Sequence, residues 1–147
     1  MDTADDRTER FERIASTEAD VLGDLADDVL ASDPSFTVLQ EPNPQLLMQR
    51  VREPVEHRPF NLGEVVVTPA EVEVNGGRGF AMYPGKAERA ALSGAIVDAA
   101  VDAGHPVTGR IREELAAAAE RRRSDRNHEW AESQYTAVDF ETMEDDL

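Results

Sequence analysis

The stretch that decides the fold runs from Phe60 to Ala100, "FNLGEVVVTPAEVEVNGGRGFAMYPGKAERAALSGAIVDAA". Val65, Val66 and Val67 are β-branched, and Val72 and Val74 alternate with Glu71 and Glu73, the period of a strand with one dry and one wet face. Pro69 interrupts the run. It has no N–H for a ladder, so a bulge, an edge or a short break is expected there. Asn75-Gly76-Gly77 is a turn signal that joins "EVEV" to "RGFAMY" as a hairpin. From Ala87 to Ala103 the period becomes helical. Ala87, Ala90, Ala91, Gly94, Ala95, Val97 and Val101 form a small-residue face that lets a helix approach a sheet closely, and Gly104 and Pro106 stop it.

Between hairpin and helix, "GFAMYPGKA" invites a reading as a phosphate-binding loop. The P-loop needs four residues between its first Gly and the Gly-Lys pair, then a Ser or Thr whose hydroxyl holds magnesium. Here five residues separate Gly79 from Gly85, and Ala87 follows Lys86. Spacing and chemistry both fail. The segment reads as a strand, a Pro-Gly turn and a helix start.

Working outward, "PQLLMQRVREP" alternates, with Leu47, Gln49 and Val51 on one side and Met48, Arg50 and Arg52 on the other, as in a half-buried strand. "SFTVLQEP" is a shorter strand. Upstream, Phe11 and Ile14 at helical spacing mark one helix. Val21, Leu22, Leu25, Val29 and Leu30 mark a second, with Ser16 or Thr17 as its cap and Asp33-Pro34-Ser35 as its end. Downstream, a long helix with a weak apolar face (Ile111, Leu115, Ala118, Ala119) is expected from about Thr108 to Ala131, followed by a tail, "YTAVDFETMEDDL", of strand-like apolar spacing. The fold class is α+β: an N-terminal helical pair, a mostly antiparallel sheet of about four strands, a packed helix and a long C-terminal helix. We read residues 1–147 as one domain, with a helical region 1–33, a sheet-plus-helix core 34–104, and a C-terminal helix and tail 105–147.

Charge narrows the function classes. The chain has 31 acidic residues against 15 basic ones, a net charge of −16, and Lys86 is its only lysine. That balance suits a cytoplasm of very high salt, where the Debye length falls to about 3 Å and repulsion among surface carboxylates fades. It opposes binding to nucleic acid or to an anionic membrane, which needs a basic footprint. With no cysteine, disulfides, thiolate chemistry and Cys-based zinc sites are excluded. No apolar run is long enough to span a membrane, and the acidic N-terminus carries no signal segment, so a cytoplasmic location is expected.

Few residues are placed for chemistry. His57, His105 and His128 show no metal-binding spacing, and no serine lies in a Gly-x-Ser-x-Gly turn. Glu64 sits between Gly63 and a β-branched run, where a carboxylate is a hydrogen-bond acceptor or a general base of raised pKa. Arg121, Arg122, Arg123 and Arg126 form a basic cluster, either intrahelical pairing or a docking patch for an acidic partner or a polyphosphate.

Three regions together resemble the PhnG subunit of the carbon–phosphorus lyase core complex. One carries Phe60, Leu62, Gly63 and Glu64, then the Gly79-Phe80 pair, the Gly85 turn, and a helix with Ala95, Asp98 and Ala99 in an Ala-x-x-Asp-Ala pattern. Another is the paired N-terminal helical region. The third is the tail "VDFETM", with Asp139, Phe140, Thr142 and Met143, where Glu141 replaces the family's second aromatic residue and acidic residues replace a basic-Gly ending. The resemblance implies an accessory subunit acting with H-, I-, J- and L-type subunits. That assembly makes α-D-ribose 1-methylphosphonate 5-triphosphate from ATP and methylphosphonate, with the nucleosidase chemistry in the I-type subunit. It implies no cofactor and no metal in this subunit; the iron–sulfur chemistry that breaks the carbon–phosphorus bond belongs to another chain. Two other readings stay open: a free-standing hydrolase or nucleosidase using Glu64, and a halophilic adaptor unrelated to phosphonate.

Overall fold

The strand that runs through Pro69 is the axis of the fold. In the computed structural model, which describes residues 3–52, 55–56 and 58–145, the elements follow in the order α1 (Ala4–Ala15), α2 (Ala19–Ala31), β1 (Phe36–Gln40), β2 (Gln45–Arg52), β3 (Pro59–Val74), β4 (Gly77–Pro84), α3 (Glu88–Asp102) and α4 (Thr108–Asp145). β1, β2 and β4 all pair with β3, each antiparallel. Val72 faces both Val38 and Gly79, and Val67 faces both Gln45 and Pro84. A strand residue has one neighbour on each side, so β1 and β2 lie end to end along one side of β3 and β4 lies along the other. The α+β class and the four antiparallel strands agree with the sequence reading.

Pro69 does not break β3. The Val66 carbonyl accepts the Gly85 N–H at 2.8 Å, on the β4 side. Backbone direction alternates along a strand, so Thr68 and Ala70 also turn toward β4, and Pro69 turns away from it. On that other side the register runs from Gln40 against Glu71 to Gln45 against Val67, leaving the gap between β1 and β2 opposite Pro69. The missing N–H therefore costs no ladder bond.

The helical layer covers one end of this sheet. Ala70, Val72 and Val74 of β3, and Ala81 of β4, are buried against Ala91, Ala95, Ala99 and Ala100 of α3. Over α3 lie Ile14 of α1, with Leu22, Leu25 and Val29 of α2, all at most 1% exposed. Burying each such side chain contributes about 1.5–3 kcal/mol. A reciprocal capping box starts α1: Asp6 N–H donates to Thr3 Oγ1 at 3.1 Å, and Thr3 N–H donates to Asp6 Oδ2 at 3.2 Å. The expected cap on α2 is corrected. Its N-cap is Glu18, whose side chain makes no capping bond, while the Ser16 and Thr17 hydroxyls donate back to the carbonyls of Glu12 (2.8 Å) and Arg13 (2.6 Å) and so close α1.

The tail is a second correction. The helix continues through the "YTAVDF" segment to Asp145. Ile111, Leu115 and Ala118 bury its first turns, and every residue from Glu120 to Glu132 is exposed. Among the described residues no helix is long and apolar enough to cross a membrane.

Tyr83 ties β4 to the α1–α2 corner by donating its hydroxyl to the Thr17 carbonyl at 2.7 Å. Burial, and then the negative charges of Glu18 and Asp20, push the phenol above its ordinary value of 10.0. The folded state thus favours the neutral phenol. The stability this contributes is complete below pH 10 and is lost as pH rises through the folded midpoint. In a Tyr135→Phe variant, which leaves Tyr83 as the sole tyrosine, ultraviolet titration is expected to give a midpoint above 10 that drops to about 10 in denaturant.

Candidate functional site

The Pro-Gly turn is built for the fold. Gly85 adopts φ +83° and gives its N–H to Val66, and Thr68, buried in β3, reaches into the turn. The Thr68 hydroxyl donates to the Gly85 carbonyl at 2.7 Å and accepts the Ala87 N–H at 3.1 Å. A phosphate cradle needs N–H groups aimed outward at a ligand. Here the N–H groups of Gly85 and Ala87 are both committed inside the chain.

The structure brings together three of the family-motif positions, Gly79, Phe80 and Asp98. At Gly79 the backbone of α3 lies so close that a Cβ would fall 2.1 Å from the Ala95 carbonyl oxygen and 2.3 Å from the Ala99 nitrogen. That closeness carries two carboxylates of α3, one turn apart, over the outer edge of β4. Asp98 accepts the Phe80 N–H and Asp102 the Arg78 N–H, each at 2.9 Å. Two arginines of α1 complete the set. Arg10 pairs with Asp98 at 2.5 Å and Arg7 pairs with Asp102. The Phe11 ring stacks on Phe80, centroids 5.9 Å apart and planes 2° from parallel. The edge of β4 that would otherwise be open is thus closed by two arginine–carboxylate–backbone relays.

Glu64 lies elsewhere. It is exposed on β3 opposite Met48 of β2, beyond the reach of the helical layer. Gly63 sits beside it at φ +145°, where the β2–β3 register slips by one residue between Gln49 and Arg50. The side chains of Phe60 and Leu62 lie outside the described residues, as do His57 and the side chains of Asp139, Phe140, Thr142 and Met143. The expectation that β2 is half-buried is corrected over its first half: Leu46, Leu47 and Met48 are all exposed, so neither face is covered there.

Histidine and serine do meet at one place, which sequence spacing did not reveal. Buried His105 has its Nε2 at 2.9 Å from Ser32 Oγ. Its Nδ1 accepts the Val107 N–H at 3.2 Å, so in the neutral ring the proton sits on Nε2 and is donated to Ser32, whose own hydroxyl donates to the Val29 carbonyl at 2.7 Å. The proton runs from His to Ser to backbone, opposite to what activates a nucleophile. This pair fastens the C-terminus of α2 to the α3–α4 connection.

The arginine cluster divides. Arg121 bonds Glu18 at 3.1 Å across the α2–α4 boundary; a backbone hydrogen bond at Glu18, and then this arginine, hold that carboxyl below its ordinary range. Arg123 lies 3.8 Å from Glu120 on its own helix. Arg122 and Arg126 remain exposed one turn apart on the projecting part of α4. A groove of about 270 Å³ between α1 and α4 is lined by Asp6, Glu9, Arg10, Arg13, Arg112 and Leu115. Arg10 is committed there to Asp98, and Arg13 to Glu9 at 2.5 Å. Among the described residues no group of three or more His, Asp or Glu is arranged to hold a metal ion.

Chemically, the arrangement fastens elements to one another and leaves two projections, the β2–β3 ribbon and the outer part of α4. Comparison with known families matches residues 5–144 to the family described as phosphonate metabolism protein PhnG. The match covers nearly the whole chain, and the chain belongs to that family. Comparison with curated proteins finds no match.

Proposed function

We propose that this member of a phosphonate-metabolism family is an accessory, non-catalytic subunit of the assembly that forms α-D-ribose 1-methylphosphonate 5-triphosphate from ATP and methylphosphonate. The observation that carries the reading is where the family-motif residues go. Gly79, Phe80 and Asp98 are spent on seating α3 and α1 against β4, and Glu64 stands exposed on a ribbon opposite Met48, where among the described residues no metal-holding cluster forms. Such a chain contributes surfaces to an assembly whose reacting groups lie in other subunits. Affinity capture from native cells in high salt, with mass spectrometry, is expected to return the other phosphonate-metabolism subunits in fixed ratio. Capture of a lone monomer that splits ATP, with the activity lost in Glu64→Gln, would instead establish a free-standing nucleosidase.

The acid-rich surface belongs to the same proposal, as adaptation to a cytoplasm of high salt. With net charge −16, self-repulsion is strongest where the Debye length is long. The thermal midpoint is expected to climb from 0.01 M toward molar salt. A midpoint that stays level across that range would remove the salt-adaptation reading.

A further inference from the structure

We propose that the ribbon formed by β2 and the first half of β3 is an insertion arm, enclosed on both faces by a cleft of a partner protein with apolar walls and an acidic rim. This rests on the subunit reading above. Side chains alternate along a strand, so Leu46 and Met48 share one face of β2 and Leu47 the other. Leu46 is paired with Val66, and Leu47 with Val65. Leu46 is 63% exposed, Met48 49%, Leu47 40% and Val65 41%, so apolar surface is bare on both faces at one level of the ribbon. A solvated ribbon carries its apolar residues on at most one face, and two strands alone are marginal in water.

Two apolar faces set the kind of occupant. A twofold contact with a second copy presents one surface patch to its equivalent and leaves the opposite face bare. A membrane surface likewise meets one side, and a net charge of −16 repels anionic lipid. A cleft that admits the ribbon edgewise covers both faces, and also the edges of β2 and of the first half of β3 on which no described strand pairs. Charge gives the rim. From Gln45 to Val67, Arg50, Arg52 and Arg58 balance Glu53, Glu56 and Glu64, so the whole net charge of the chain lies outside this segment. β2 itself carries Arg50 and Arg52 and no acid. In an acid-rich chain this is where another acid-rich protein can approach without repulsion.

The test uses the full chain recovered with its phosphonate-metabolism subunits in high salt. One variant, Leu46→Asp with Met48→Asp, charges one face; another, Leu47→Asp with Val65→Asp, charges the other. Asp24→Asn with Asp27→Asn, exposed on α2, is the control. Each ribbon variant is expected to keep the wild-type circular dichroism spectrum and to bring down partners at least about tenfold less well, as loss of a buried anchor does, while the control keeps them. As a readout free of mutation, amides of 45–52 and 59–67 are expected to exchange more slowly in the assembly than in the free chain. If wild type captures its partners but both ribbon variants do so equally well, or the amides stay unprotected, the arm is overturned and the subunit reading stands. If only one face matters, enclosure is overturned in favour of a one-sided contact. A purified wild-type dimer that the variants dissolve identifies a second copy as the occupant and overturns the partner cleft. Wild type that captures no partner overturns both readings.

Discussion

Gly79→Ala is expected to destabilise the protein by at least about 3 kcal/mol, the upper end of overpacking costs and a large share of the stability of an ordinary domain. One methyl group has this effect because of what it meets. The three atoms nearest to it, at 2.1, 2.3 and 2.7 Å, are the Ala95 carbonyl oxygen, the Ala99 nitrogen and the Ala99 Cβ. None can rotate aside; relief requires α3 to lift off β4. Lifting α3 also pulls Asp98 and Asp102 away from the Phe80 and Arg78 N–H groups, so the edge of β4 opens with it. Two other glycines calibrate the result. At Gly94 the nearest atom is Ile14 Cγ2, at 2.6 Å, the end of a side chain that can shift, and Ala81 Cβ is at 3.1 Å. Gly94→Ala is expected to cost less than about 2 kcal/mol, because helix propensity returns up to about 1 kcal/mol. At Gly23, inside α2, nothing lies within 4 Å of the added carbon, and Gly23→Ala is expected to stabilise by about 0.5–1 kcal/mol. Chemical unfolding of the three variants gives the order, and Gly79→Ala ranking no worse than Gly94→Ala would remove close backbone approach as the reason for that glycine.

The contrast among these glycines shows which parts of the fold were legible in the sequence. The hairpin at Asn75-Gly76-Gly77 was, because φ of 49° at Asn75 and 83° at Gly76 is a local demand that names its residues. The small-residue face of α3 was, because its helical period can be counted. Pro69 was read as an interruption since its effect depends on what lies opposite, and the gap between β1 and β2 is a property of the sheet. The tail reads as strand-like from its apolar spacing, yet the helix runs through it: a short local pattern is a weak prior that context overrides. β2 was read as half-buried on alternation alone, and alternation does not say how far the helices reach. The relays at the β4 edge were out of reach altogether. Arg7 and Arg10 have helical spacing, and so do Asp98 and Asp102, but 88 residues separate Arg10 from Asp98, and in a chain with 31 acids one more Asp carries no signal. Resemblance to a family marked Asp98 as a motif residue; only the packed structure supplies the physical reason.

For Asp98→Ala a loss of about 3–5 kcal/mol is expected, the cost of stripping one partner from a buried ion pair. The Arg10 side chain is 7% exposed and that of Asp98 15%, so water replaces the lost carboxylate poorly. The same substitution leaves the Phe80 N–H without its acceptor, adding the penalty of an unmade hydrogen bond at the strand edge. Asp98→Asn separates the two effects. Its amide oxygen can still accept from Phe80 but no longer neutralises Arg10, so it is expected to fall between wild type and Asp98→Ala. Removing both charges, in Arg10→Met with Asp98→Asn, is expected to recover part of the loss seen with Asp98→Asn alone, since an apolar pair of similar volume often costs little. That recovery is the coupling energy of a double-mutant cycle. Asp102 gives the comparison within the same helix: its partner Arg7 is 54% exposed, and Asp102→Ala is expected to cost about 1–2 kcal/mol, mostly through the Arg78 N–H. Equal losses at the two positions would mean that burial of Arg10 does not set the energetics of this edge. An Asp98 deficit much larger than the Asp102 deficit, with partial rescue on removing Arg10, places the lock between α1 and β4 at the Arg10–Asp98 relay.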